Sequence, residues 1–160
     1  MYAVFHAPTY RSRYAEFLKI DFPRLPLTRN PALFRALCTI GARLVSLHLL
    51  AEAAPSVASY PVPGDDTVEF VRFDADANAD TGRVHINRTQ YFDGVPVAVW
   101  NFHVGGYQVA HKWLKDRKGR TLTYDEQRHY RNTLAALAAT IRLMREIDEA
   151  ITQHGGWPVQ

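Results

Sequence analysis

Apolar residues recur every three or four positions near the start of the chain, and this spacing predicts helices. In the first twenty residues, a break at Pro8 separates two short helices, and Thr9 is expected to cap the second. Residues 20–28 contain two prolines, each of which disfavours helix at the residue before it, so this segment is expected to be extended.

A longer apolar stripe runs from residue 33 to residue 50 and predicts a second helical segment. Asn30 before Pro31 is typical of an N-cap followed by proline at the first helical position, and the helix is expected to end at about Ala53. Cys38, the one cysteine of the chain, lies among apolar neighbours, so we expect a buried structural thiol and no disulfide within the chain.

Alternation of apolar and polar residues replaces the helical spacing after a connector at about residues 54–66. Residues 67–73 and 83–92 are predicted strands, and the polar stretch between them is the expected loop of an antiparallel hairpin. Asp93 and Gly94 are expected to form a turn after the second strand.

Helical spacing returns in the last third of the chain. Gly105 and Gly106 are expected to form a tight turn from a strand into a helix over residues 107–116, and a last helix is predicted over about residues 124–151. Thr123 has the spacing of a capping box with a glutamate three residues later. These elements predict a single domain over residues 1–160 with an α+β fold, in which helices predominate beside a small antiparallel hairpin or sheet and a long C-terminal helix.

Charge is distributed unevenly along the chain, whose formal net charge is +3. Residues 64–80 carry six acidic residues against one arginine, whereas residues 104–120 carry three lysines and two arginines against one aspartate. A basic run among aromatic residues favours a polyanionic partner, although a solvated helix face shows the same pattern. On the adjoining helix, Tyr107, Val109 and Trp113 are expected to pack against the fold.

Motifs for nucleotide binding and for common hydrolytic chemistry are absent from the sequence. Neither G-x-x-x-x-G-K-[ST] nor G-x-G-x-x-G occurs, and H-E-x-x-H and G-x-S-x-G are missing too. No run approaches the about eighteen apolar residues that a membrane span needs. Four aspartates of the acidic region could hold a metal ion, but their order is not that of an EF-hand, and we interpret them as solvated turn residues: Asp65, Asp66, Asp74 and Asp76.

Two clusters carry side chains suited to nucleic acid. One follows the second predicted strand, where an arginine suits guanine and amide side chains suit adenine. The other is the glycine pair with the cations after it, whose backbone N–H groups and charges suit phosphate oxygens. The candidate DNA-binding residues are Asn87, Arg88, Gln90, Gly105, Gly106, Gln108, Lys112, Lys115, Arg117, Lys118 and Arg120. No catalytic residue and no metal ligand is predicted.

Three blocks of the sequence carry a family resemblance that covers nearly the whole chain. They are "SRYAEFLKIDFPRLPL", "GRVHINRTQYFDGVP" and "VWNFHVGGYQVAHKWLKDRKGRTLT". They resemble the C-terminal target-recognition (specificity) region of type ISP restriction–modification enzymes and related adenine-N6 DNA methyltransferases. In that family the region follows a methyltransferase domain, with a helicase and a nuclease further upstream. The resemblance implies that the chain holds duplex DNA and reads a target, so that the upstream methyltransferase acts on one adenine.

The catalytic N/D-P-P-Y/F motif of those methyltransferases and their glycine-rich cofactor motif are absent here. We therefore expect no enzymatic activity from the chain by itself and no cofactor in it. S-adenosylmethionine, ATP and Mg²⁺ are implied only for upstream domains of the parent polypeptide. The chain is expected to be the C-terminal part of a longer, cytoplasmic polypeptide without a membrane partner.

An alternative interpretation is an inter-domain scaffold, which docks the methyltransferase domain without itself reading DNA. The basic run separates the two hypotheses, because a docking surface should meet an acidic surface of its partner whereas a DNA-binding surface should be free.

Overall fold

The computed structural model describes residues 1–159, and their backbone divides into two compact units. Unit 1 comprises Met1–Glu52 together with the chain from Ala139 onward, and unit 2 comprises Ala53–Ala138. Helices predominate, beside a small antiparallel sheet and a long C-terminal helix. The predicted α+β fold class is therefore confirmed.

Three short helices begin unit 1. They are α1 (Tyr2–His6), α2 (Pro8–Arg13) and α3 (Ala15–Leu18). The break at Pro8 is confirmed, but the prediction that Thr9 caps the second helix is wrong. Pro8 occupies the first turn of α2 after Ala7, and the Thr9 hydroxyl instead donates to a carboxylate oxygen of Asp148.

The helix α4 (Pro31–His48) begins as the sequence predicts. The Asn30 side-chain oxygen accepts from the backbone N–H groups of Ala32 and Leu33, at 2.9 and 3.2 Å. The helix ends five residues before the predicted Ala53, because the backbone turns into the left-handed region at Leu50, with a φ of 53°.

Cys38 is exposed, so the prediction of a buried thiol is wrong. The buried stripe of α4 passes through Leu37 and Gly41, and Cys38 lies about 100° further around the helix, on its solvent side. Gly41 allows the close approach of α1, since a Cβ added there would lie 3.4 Å from the backbone nitrogen of Ala3.

Unit 2 contains a three-stranded antiparallel sheet in the order β1 (Arg72–Ala75), β2 (Thr81–His85) and β3 (Tyr91–Pro96). A hairpin between β1 and β2 is thus present, but two of the predicted boundaries are wrong. Only the last two residues of the predicted strand 67–73 are in β1. The predicted strand 83–92 in fact contains the end of β2, a turn, and the start of β3.

The predicted turn at Asp93 and Gly94 is also wrong, because both residues lie inside β3. The register shifts between the pairs Gly82–Val95 and Val84–Phe92, which marks a β-bulge. Gly94 adopts a φ of 79° at this bulge, a conformation that favours glycine.

After β3 the chain forms α5 (Val97–Trp100), β4 (His103–Val104), β5 (Tyr107–Gln108) and α6 (Val109–Lys115). Gly105 and Gly106 therefore join the two strands of a hairpin, and the predicted strand-to-helix turn is wrong. Both glycines have positive φ angles, of 56° and 85°, as a two-residue hairpin turn requires.

The last helix, α7 (Tyr124–Gln153), contributes to both units. Its predicted capping box is confirmed, because the Thr123 hydroxyl accepts from the Glu126 N–H at 3.2 Å and the Glu126 carboxylate accepts from the Thr123 N–H at 3.0 Å. In unit 2 its buried residues Tyr130 and Leu134 belong to the core with Phe92. Among the described residues, no helix is long and apolar enough to cross a membrane.

Candidate nucleic-acid interface

The helix α6 presents cations because its other side is buried. Ala110 and Leu114, four positions apart, are fully buried, and Lys112 and Lys115 lie on other sides of the helix and are exposed. The turn that follows adds further exposed cations. We call this set the basic surface, and it consists of Lys112, Lys115, Lys118 and Arg120.

Half of the basic surface is paired with carboxylates of the same unit. The Lys112 ammonium lies 2.6 Å from a carboxylate oxygen of Asp116, and the Arg120 guanidinium lies 3.1 Å from Glu126. Among residues 1–159, no carboxylate lies within ion-pair distance of Lys115 or Lys118. These two lysines therefore carry positive charge that is not neutralised within the described fold.

Arg117 is held inside unit 2, unlike its neighbours in the basic run. Its guanidinium carbon lies 3.5 Å from the centre of the Trp113 ring, and it donates to the Trp113 backbone carbonyl at 2.9 Å and to Glu126 at 3.3 Å. The Trp113 ring in turn lies 5.1 Å from that of Tyr130. The expectation that Trp113 packs is therefore confirmed, and Arg117 supports this packing.

The Glu126 carboxylate organises this part of the site. Two hydrogen bonds hold the pKa of Glu126 below its usual range. The larger effect comes from the Thr123 backbone N–H, and a smaller one comes from Arg117. Glu126 thus remains charged at neutral pH and binds both Arg117 and Arg120.

The β4–β5 hairpin lies beside α6 and projects its glycine tip. A Cβ added at Gly105 or at Gly106 would meet nothing within 4 Å, so both backbones are open to solvent. Their N–H groups are not those of a helical first turn, since Gln108 is the N-cap of α6. Gln108 itself donates to the Trp100 carbonyl at 2.6 Å. Tyr107 is 61% exposed, so the prediction that it packs in the core is wrong.

The β2–β3 turn separates its polar residues into buried and exposed ones. Asn87 and Gln90 are buried, and the Asn87 side-chain oxygen accepts from the Thr89 and Gln90 N–H groups at 3.0 and 2.7 Å, which folds the chain back. The Asn87 amide donates to the Gln90 side-chain oxygen at 2.9 Å, and the Gln90 amide donates to the Asp66 carboxylate at 2.7 Å, so in this structure both side chains face the fold and not a partner. Arg88 is exposed at the tip of the turn.

The structure adds a polar face that the sequence analysis did not name. Positions 125, 128, 129 and 132 of α7 are three and four residues apart and all exposed. Together with Trp113 and Arg117 they line a cavity of about 510 Å³. The available signal was the helical spacing of these polar positions on the side opposite the core stripe.

Comparison with known proteins agrees with this picture. The family model of the Type ISP C-terminal specificity domain matches residues 1–146. No curated protein matches the chain at a significant level.

Three solved structures are similar to the chain, and at these identities the similarity shows a shared fold. One is a nuclease-deletion mutant of the Type ISP restriction–modification enzyme LlaGI in complex with a DNA substrate mimic, with a TM-score of 0.68, 21% identity, and coverage of 92% of this chain and 13% of that chain. The DrdV–DNA complex has a TM-score of 0.63 and 23% identity, over 91% of this chain and 17% of that chain. The ATP-dependent Type ISP enzyme LlaBIII bound to DNA has a TM-score of 0.64 and 19% identity, over 99% of this chain and 11% of that chain.

The chain thus spans between 11% and 17% of the length of these three chains. The resemblance inferred from the sequence blocks is confirmed by the family match, which covers most of the chain. The chain therefore belongs to the family of Type ISP C-terminal specificity domains.

Proposed function

We propose that this chain binds duplex DNA and takes part in recognising the target sequence of a restriction–modification polypeptide. Its family is one of specificity domains, and the three similar structures were determined as DNA complexes. The observation that carries the proposal for this chain is the pair of exposed, unpaired lysines, Lys115 and Lys118, beside the paired cations Lys112 and Arg120.

The basic surface supplies the contacts to phosphate. Lysine ammonium groups on a helix and its following turn suit phosphate oxygens along one strand, and such contacts fix the position of the protein without reading sequence. Arg88 and the backbone N–H groups of Gly105 and Gly106 are further candidates, because all three residues are exposed. Arg117, Gln108, Asn87 and Gln90 act as supports in this proposal, since their side chains bind the fold itself.

The salt dependence of binding follows from the number of phosphates that are neutralised. Among the candidate DNA-binding residues, three exposed cations have no carboxylate partner within residues 1–159: Arg88, Lys115 and Lys118. Each contributes about 0.9 to the slope of log affinity against log salt, so we expect a slope of about −3. It reaches about −5 if Lys112 and Arg120 exchange their carboxylates for phosphates, which is feasible because exposed ion pairs are weak.

In the parent polypeptide this binding would position DNA for adenine-N6 methylation by an upstream methyltransferase domain in the cytoplasm. The chain itself supplies no chemistry in this proposal. S-adenosylmethionine, ATP and Mg²⁺ would be needed by other domains of the parent.

A second candidate function is the docking of that upstream domain. Unit 1 exposes three large apolar side chains in the segment 20–27 that follows α3, namely Ile20, Phe22 and Leu27, which are 85%, 87% and 76% exposed. Exposed apolar residues so close in sequence are typical of a protein-binding surface. The two functions use different residues, so a variant of one surface tests one function.

The test is the binding of the purified chain to a mixed-sequence DNA duplex at about 50 and 200 mM salt, followed by fluorescence anisotropy. Replacing both Lys115 and Lys118 by alanine should make the slope shallower by about 2 and lower affinity at low salt by about tenfold or more. The matched control replaces Arg35 and Arg145, two exposed arginines of unit 1, and it should not change the slope as much. Absence of binding at low salt, or an unchanged slope in the lysine variant, would refute the DNA-binding surface.

A further inference from the structure

A polar stripe lies along the N-terminal half of α7. Its members follow an i, i+3, i+4, i+7 spacing, which places them on one face of the helix. All are exposed, whereas Tyr130 and Leu134 of the same helical turns are fully buried. The α7 polar stripe consists of Asp125, Arg128, His129 and Asn132.

The stripe is anchored on one side by the packed aromatic residues of α6. The His129 ring stacks on Trp113 with 5.8 Å between ring centroids and an interplanar angle of 26°. Trp113 is itself held between Tyr130 and the Arg117 guanidinium. These contacts fix the floor of the cavity of about 510 Å³, so the stripe stands on a rigid support, as an element that reads sequence requires.

The chemistry of the stripe differs from that of the basic surface. Lysines offer only donors and suit any phosphate, whereas the stripe combines a carboxylate, a guanidinium, an imidazole and a carboxamide. Such a mixture of donors and acceptors matches base edges: an arginine fork binds guanine O6 and N7, and an asparagine amide binds adenine N6 and N7. Asp125 also lies in the first turn of α7, where a negative charge stabilises the helix.

The Asp125–Arg128 pair prepares the arginine for this role. An Arg128 amino group lies 2.9 Å from the Asp125 carboxylate, and the two side chains are 59% and 80% exposed. Exposed ion pairs of this kind are weak, so the guanidinium can turn part of its fork to guanine while the carboxylate limits its orientation. Asn132, whose side chain is also exposed, lies four positions after Arg128 on the same helix face.

The dimensions of the stripe fit the major groove. A helix with its side chains is about 10–12 Å across, and the major groove of B-form DNA is about 12 Å wide. Seven residue steps from Asp125 to Asn132 rise about 10 Å, which corresponds to about three base pairs.

We propose that the α7 polar stripe is the element of this chain that reads base edges in the major groove, with Arg128 contacting a guanine and Asn132 an adenine. This inference rests on the proposed function, because it requires that the chain binds duplex DNA. It assigns sequence preference to α7 and leaves general affinity to the basic surface.

The test is a selection of bound duplexes from a random pool, followed by affinity measurements on the selected duplex and on duplexes with single base-pair changes. Arg128→Lys keeps the charge but removes the fork, and it should lose about tenfold or more of the discrimination at one guanine position. Asn132→Ala should lose discrimination at one adenine position. Both variants should bind unselected DNA as the original chain does, with the same salt slope.

The chain provides two controls. Arg142→Lys changes another exposed arginine of α7, which like Arg128 is ion-paired, in its case with Glu146. This variant should leave the base preference at every position unchanged. The Lys115→Ala, Lys118→Ala variant should weaken binding to all duplexes without changing their order. Unchanged thermal melting of the stripe variants shows that they are folded.

Three results would overturn the inference. If Arg128→Lys and Asn132→Ala retain full base preference, the stripe does not read sequence, although the DNA-binding proposal survives. If the chain binds DNA but selects no sequence, the same conclusion holds. If the original chain does not bind DNA at low salt, both proposals fail together.

Discussion

Replacing Gln90 by leucine tests whether the β2–β3 turn is held by a buried polar network. Gln90 is 0% exposed. Its side-chain oxygen accepts from the Asp66 N–H and from the Asn87 amide, both at 2.9 Å, and its amide donates to Asp66 at 2.7 Å and to the Val62 carbonyl at 3.2 Å. Leucine fills a similar volume but makes none of these four hydrogen bonds.

The expected loss of stability follows from that geometry. Each hydrogen bond contributes about 1 kcal/mol net, so the four together correspond to about 4 kcal/mol of unfolding free energy. The Asn87 amide and the Asp66 N–H lose the Gln90 oxygen as an acceptor, and this adds to the loss of stability. The loss is reduced because Tyr60 still donates to the Asp66 carboxylate at 2.9 Å. For a chain of this length such a loss lowers the thermal midpoint by roughly 10 °C.

Urea unfolding of the variant and of the original chain measures this loss, and DNA binding is compared at a temperature where both are folded. Arg88→Ala is the matched control, because Arg88 is exposed in the same turn. It should change stability by less than about 0.5 kcal/mol. Gln90→Leu should lower stability and leave the affinity of the folded protein for DNA unchanged. A variant with full stability that no longer binds DNA would refute the structural role and return Gln90 to the DNA-contacting surface.

Two further predictions concern the packing and the charge of unit 2. Tyr130→Phe removes the buried hydrogen bond from the phenol to the Ala110 carbonyl, which is 3.2 Å long, and should cost about 1 kcal/mol in urea unfolding; no measurable cost would show that this bond does not help to hold α6. Glu126 has a lowered pKa in the folded chain, so its stabilising effect is present at neutral pH and is lost as the pH falls through the folded value. The unfolding free energies of the original chain and of Glu126→Gln should therefore differ at pH 7, and the difference should shrink as the pH falls below the ordinary glutamate pKa of about 4.3. Curves that stay parallel would contradict the assignment.

The parts of the fold that depend on neighbouring residues could be predicted from the sequence. The Asn30 cap and the Thr123–Glu126 capping box are correct because each hydrogen bond joins residues at most three positions apart. The resemblance to a family of specificity domains is correct as well, because it depends on long blocks of sequence and not on one short motif.

The failures share a physical cause in contacts between distant residues. Residues 83–92 alternate like one strand, and nothing local reveals that the Asn87 side chain stabilises a turn there by accepting from the Gln90 N–H. The Gln90 amide in turn donates to Asp66, which lies 24 positions earlier in the chain. Cys38 has apolar sequence neighbours, but the approach of α1 at Gly41 decides which side of α4 is buried.

The candidate site was predicted in part for the same reason. The exposed lysines follow from the buried positions Ala110 and Leu114, which helical spacing reveals. Whether Arg117 is free or held depends on Trp113 and on Glu126, and the orientation of that tryptophan is set by Tyr130 in another helix. The α7 polar stripe was missed because the pattern analysis followed the apolar side of that helix.

The carboxylates placed among the cations limit general affinity and do not themselves create a sequence preference. Asp116 and Glu126 neutralise Lys112 and Arg120, so contacts from these cations to phosphate first require the loss of an ion pair. That cost is the same for every DNA sequence, so it lowers binding to target and non-target DNA alike and leaves their ratio unchanged. If Arg128 contacts guanine as proposed, the weakening of its ion pair with Asp125 is offset only at guanine, because only guanine offers two acceptors to the guanidinium fork. In this proposal the α7 polar stripe therefore supplies the discrimination between sequences, whereas the half-neutralised basic surface supplies a sequence-independent affinity that is weaker than that of a fully unpaired set of cations.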